Sequence, residues 1–107
     1  MDYLIDFRNM EWENPLPGLR VKIFITGNQK VRIAEFSDIF VEDGWCTKGH
    51  AGYVLDGEIT IEFDDKKVRY QKGDGMIIPS GEQHRHKPWV AEGTATLVFF
   101  EKVAEDA

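Results

Sequence analysis

Across its 107 residues the chain has one cysteine, Cys46, and three histidines, His50, His84 and His86. A single cysteine excludes an internal disulfide framework and suits a reducing compartment. No apolar run approaches the roughly 18 residues of a membrane span. The N-terminus, M-D-Y-L-I-D-F-R, lacks both the basic stretch and the apolar stretch of a secretion signal. Positive charge is scarce: 13 Lys and Arg stand against 19 Asp and Glu, a net charge of −6. Binding to a phosphate backbone needs a clustered basic surface. The basic clusters here, Lys66-Lys67 with Arg69 and Arg85-His86-Lys87, read as solvated charges beside turns. No window sustains a helical period. The expectation is one cytoplasmic, all-β domain that binds neither nucleic acid nor membrane.

What is present is a series of strand-length runs separated by turn residues. Val21–Ile25 ends at Gly27-Asn28, and Val31–Phe36 follows. Ile39–Val41 is a short apolar piece that stops at Glu42-Asp43-Gly44. Ala51–Leu55 and Glu58–Phe63 flank Asp56-Gly57, a strong hairpin signal. In the second of these, Ile59, Ile61 and Phe63 alternate with Glu58, Thr60 and Glu62, so one face is apolar. Lys67–Tyr70, Met76–Ile78 and Thr94–Phe100 complete the set. Residues 1–18 read as an N-terminal segment in which Tyr3, Leu4, Ile5 and Phe7 form an edge strand or a dimer contact. Residues 19–103 read as the β domain, 104–107 as a tail, and the acidic end from Glu101 as frayed. Many short strands at regular spacing suggest a sandwich or barrel.

The stretch Gly73–His84, G-D-G-M-I-I-P-S-G-E-Q-H, resembles the second motif of the cupins. Its mechanics are legible: a glycine turn, the short apolar strand Met76–Ile78, a stop at Pro79, and a reversal at Ser80-Gly81. His84 then starts a returning strand, and His86, two residues on, faces the same side. Upstream, G-H-A-G-Y-V-L-D-G-E-I-T-I-E-F is similar to the first cupin motif. Counted back from Gly57, His50 stands at the place of the motif's glutamate and Cys46 at that of its second histidine. Gly44 stands where the first histidine would be, and Pro88 where asparagine is common.

The resemblance implies a double-stranded β-helix, a jelly-roll-like antiparallel barrel. It also implies a metal site, here rewritten as Cys46, His50 and His84, with His86 as a further ligand, a general base or a pocket residue. A thiolate with imidazoles favours Zn(II), admits Fe(II), Ni(II) or Cu(II), and disfavours Mg(II) and Ca(II). Three protein ligands leave an open position for water or substrate; four close the shell. The alternative is a barrel without metal, in which Cys46 packs as a small hydrophobe and the histidines are hydrogen-bonded. Phe36, Phe40, Trp45, Tyr53 and Trp89 are candidate pocket walls or core. The expected function is a small-molecule enzyme of unassigned reaction acting on a small polar metabolite, or a non-catalytic binding module. Either is expected as a homodimer, and no catalytic acid or base is identified.

Overall fold

The period-two runs become antiparallel strands in the computed structural model, which describes residues 3–103. In chain order these are β1 (Glu13–Leu16), β2 (Leu19–Thr26), β3 (Gln29–Ser37), β4 (His50–Asp56), β5 (Glu58–Phe63), β6 (Lys67–Gln71), β7 (Gly75–Ile78), β8 (His86–Trp89) and β9 (Thr94–Lys102). One sheet has the order β1-β2-β3-β9-β4-β7 and the other β6-β5-β8. The two sheets face each other and enclose the core, the all-β barrel that the sequence pattern implied.

Alternation explains which side chains go inside. Ala34 and Phe36 on β3, Val54 on β4, and Ala95, Leu97 and Phe99 on β9 point inward from the large sheet. Ile59 and Ile61 meet them from β5, with 1% and 3% of their surface exposed. Burying an aliphatic side chain of this size stabilises by roughly 1.5–3 kcal/mol. The same alternation carries two charged side chains inward, Arg32 ahead of Ala34 and Glu101 after Phe99.

Several local expectations change. Asp56-Gly57 does not close a hairpin, because β4 pairs with β7 and β9 while β5 pairs with β6 and β8. The turn is a corner at which the chain leaves one sheet for the other. Gly57 permits it with φ +79°, and a Cβ there would lie 2.9 Å from Ala95 Cα and closer still to the Thr94 carbonyl. Within the N-terminal segment the strand is not Tyr3–Phe7 but β1, which pairs with β2 at one edge of the large sheet. Phe7 instead begins a 3-10 helix, Phe7–Asn9, whose first carbonyl accepts a 2.7 Å hydrogen bond from Lys22 Nζ. Ile39–Val41 forms no strand: Phe40 is buried while Ile39 and Val41 point outward, as an irregular loop allows. Glu101 and Lys102 belong to β9 rather than to a frayed end, held by pairing of β9 with Lys30 and Gln29 of β3. The tail 104–107 lies outside the described residues.

Candidate metal centre

Two of the rare residues are brought together by backbone alone. Cys46, in the loop before β4, and His86, at the head of β8, form an isolated antiparallel bridge. Cys46 N–H donates to the His86 carbonyl and His86 N–H to the Cys46 carbonyl, both at 2.9 Å. In such a reciprocal pair the two residues sit directly opposite, with their side chains on one face. The third comes from the other sheet. His50 opens β4, and its position is set by Gly49, whose N–H donates to Ser80 Oγ at 2.9 Å. A Cβ at Gly49 would lie 2.6 Å from the Ile78 carbonyl oxygen, so only glycine admits this approach of β4 to the end of β7.

The donor atoms of Cys46, His50 and His86 all lie within 4.8 Å of one another. The two imidazoles meet edge to face, with ring centroids 5.2 Å apart. Each ring is oriented through Nδ1. His86 Nδ1–H donates to the His84 carbonyl at 2.9 Å, and His50 Nδ1–H donates to Glu101 Oε2 at 2.5 Å. That leaves Nε2 of each ring as the nitrogen available to the centre. His86 is 3% exposed, and its Nε2 is a buried polar atom without a hydrogen-bond partner. A buried nitrogen left bare in this way is costly unless something binds it.

His84 is not part of this group. It ends the 3-10 helix Glu82–His84, and the strand begins at His86, so the same-face rule for alternate strand residues does not apply between them. What His84 provides is the carbonyl that fixes the His86 ring. Of the aromatic candidates, Phe36 and Phe40 reach the interior. Trp45 instead lies under the cationic ends of Arg85 and Lys87, while Tyr53 and Trp89 are 46% and 38% exposed.

The electrostatics follow from this arrangement. Imidazoles of His50 and then His86 beside the Cys46 thiol outweigh its burial and bring its pKa down from 9.0 to about 5. Burial opposes charge on His50, yet Cys46 and Glu101 more than offset it and the pKa is raised. Burial likewise works against the Glu101 carboxylate, but His50 and Arg32 hold it at about 2. Arg32 grips Glu101 with both Nε and Nη2, at 3.1 and 2.7 Å. The result is a chain Arg32–Glu101–His50 leading to the centre, the carboxylate–histidine arrangement that orients metal-binding imidazoles. Sequence reading missed Glu101 and Arg32. Each continues an inward-facing apolar alternation with a charge, which is the signal that would have found them.

A cavity of about 200 Å³ opens beside the three donors. Glu42, from the same loop as Cys46, contributes to its wall, and burial, then Cys46, raise the Glu42 pKa. Chemically the set suits a borderline-soft divalent ion: one sulfur, two imidazole nitrogens, and room for an exchangeable ligand.

A family model described as "Cupin domain" matches residues 47–101, a span that begins immediately after Cys46. The chain is similar to the solved structure of KdgF from Halomonas sp., with 19% identity, a TM-score of 0.78, and coverage of 99% of this chain and 96% of that one. It is similar to the polyketide cyclase RemF from Streptomyces resistomycificus at 17% identity and TM-score 0.76, covering 100% and 83%. An RmlC-like cupin from Shewanella frigidimarina NCIMB 400 gives 16% identity and TM-score 0.75, covering 99% and 95%. At these identities the likeness establishes the fold. No curated protein matches the chain by sequence.

Proposed function

The chain belongs to the cupin family, and on that premise we propose that its barrel holds a divalent transition metal, zinc first, on Cys46, His50 and His86. The observation that carries this reading is the buried, unpartnered His86 Nε2 aimed at the other two donors. Three protein ligands leave a position for an exchangeable molecule, so the protein handles a small molecule at the ion, as an enzyme or as a binding module. A metal bound there supplies Lewis-acid polarisation of an oxygen on that molecule. The chain's own residues do the rest: Glu101 and the His84 carbonyl orient the rings, and Glu42 places a carboxylate in the pocket wall. No helix among the described residues is long and apolar enough to cross a membrane.

The active form in this proposal is a homodimer joined through the outer face of the large sheet. Phe24, Val31, Phe100, Ala51 and Ile77 form one continuous cross-strand row on that face, and Ile33, Val98 and Tyr53 lie in the next. Phe100 and Ile77 are 53% and 81% exposed. Five strands about 4.8 Å apart make a face of several hundred Å², the scale of one partner's share (about 800 Å²) of a standard interface.

Elemental analysis of tag-free protein tests the metal reading. Near-stoichiometric zinc is expected in the wild type and in His84→Ala, whose backbone carbonyl is unchanged. Cys46→Ala and His86→Ala are expected to lose it. Folded wild-type protein that takes up no zinc, nickel or iron on reconstitution would leave a metal-free binding module.

A further inference from the structure

The lining of the 200 Å³ cavity narrows the class of molecule it accepts. Apart from the three donors, Arg32 and Glu42, every residue of its wall is apolar, and Phe36, Phe40, Ile59, Ile61, Met76 and Phe99 in that wall are buried. Phe36 and Phe40 meet edge to face at 5.2 Å and make a flat-sided corner. An apolar protein cavity of about 150 Å³ takes up benzene, so this volume fits one six-membered ring with one or two small substituents.

The polar groups on the wall are already engaged or wrongly charged for a sugar acid. Arg32 spends two nitrogens on Glu101 and stacks over Phe99 with its guanidinium carbon 4.6 Å from the ring centroid. Its charge is therefore neutralised and its face covered. Glu42 adds an acceptor of negative sign, which disfavours a second carboxylate or a phosphate nearby. A polyhydroxylated ligand would turn several hydroxyls toward phenylalanine and isoleucine, and a single buried, unpaired hydroxyl already costs about tenfold or more in affinity.

We propose that the pocket binds a single-ring, mostly apolar molecule carrying one hydroxyl-type oxygen, a phenol or cyclic enol. Its oxygen faces Cys46, His50 and His86, and its ring lies against Phe36, Phe40 and Ile61. The identity of the oxygen's partner rests on the metal reading above; the ring's place does not.

The test uses phenol and glucuronate as probes on the full chain, both loaded with Co(II) and metal-free. Calorimetry is expected to show phenol binding at least about tenfold tighter than glucuronate to the Co(II) form. Phenol is also expected to change the visible Co(II) spectrum. Met76→Phe, and separately Ile61→Phe, fill the cavity and are expected to abolish phenol binding while the Co(II) spectrum of the unliganded protein persists. Glucuronate binding as tightly as phenol or tighter overturns the proposal, as does phenol binding that survives both substitutions. If no Co(II) is retained, the metal reading fails by itself. The ring pocket is then decided by phenol binding to the metal-free wild type, whose absence overturns it.

Discussion

At the scale of single residues, Glu101 links the stability of the fold to pH. Its side chain is 9% exposed and is held by Arg32 and His50. A carboxyl whose folded pKa lies near 2, against 4.5 ordinarily, favours the native state fully above 4.5. That contribution declines as pH falls from 4.5 toward 2 and is gone below. Replacing Glu101 by Gln is expected to flatten this part of the acid-unfolding curve, followed by circular dichroism. It is also expected to weaken zinc binding about 10–100-fold in a competitive chelator titration, the usual cost of removing a ring-orienting carboxylate. An acid-unfolding curve and zinc affinity equal to those of the wild type would remove Glu101 from the site. Of the clustered donors, Cys46 and His50 were legible in the sequence as rare residue types at motif spacing, whereas His86 stood outside the motif, two residues past the position that pointed to His84. Glu101 was not legible, because strand ends are poorly marked and its inward direction depends on β9 continuing past Phe100. The motif favours His84 over His86, and the 3-10 helix Glu82–His84 reverses that order by keeping His84 out of the cluster and starting the strand at His86.

Among the elements, the corner between β4 and β5 shows what local pattern conveys and what it does not. Asp56-Gly57 signals a sharp reversal, and a sharp reversal occurs. Which sheet each flanking strand then joins depends on partners far along the chain, β9 and β8, about which a dipeptide carries no information. Two glycines allow the corner to be tested against a control. Gly57 and Gly93 both have positive φ, +79° and +76°, but a Cβ at Gly93 meets nothing within 4 Å. Gly93→Ala is expected to cost about 1 kcal/mol from backbone strain alone. Gly57→Ala adds a clash with β9 and is expected to cost about 3 kcal/mol or more, read from urea midpoints. Equal midpoints for the two variants would mean that the corner has slack the geometry does not show. Elsewhere, the strand-length runs bounded by turn residues located β2, β3, β5, β6, β7 and β9 well, because their inward positions are the less exposed ones and the turns between them are marked.

For the whole molecule, the two sheets divide the labour. The inner faces hold the core and the donors, while the outer face of the large sheet keeps an apolar stripe in solvent. The barrel class was readable from the number and spacing of strands, whereas that stripe was not. It emerges only when the pairing aligns Phe24, Val31, Phe100, Ala51 and Ile77 in one row. Sedimentation equilibrium is expected to give a dimer for the wild type and a monomer for the double variant Phe100→Glu, Ile77→Glu. Both positions are too exposed for these changes to disturb the core, so an unchanged thermal midpoint at low concentration accompanies the result. A wild type that stays monomeric at high micromolar concentration would assign the stripe another role.

The loop between β3 and β4 carries Phe40 and Glu42 in the cavity wall and, four residues after Glu42, the sulfur. Door and bolt are thus cut from one piece of chain, and the reciprocal bridge from Cys46 to His86 is the strike plate that receives the bolt. In the proposed metal-bound form, any shift of this loop that widened the cavity would carry the sulfur with it, so the entry of a guest and the hold on the ion would be geared together.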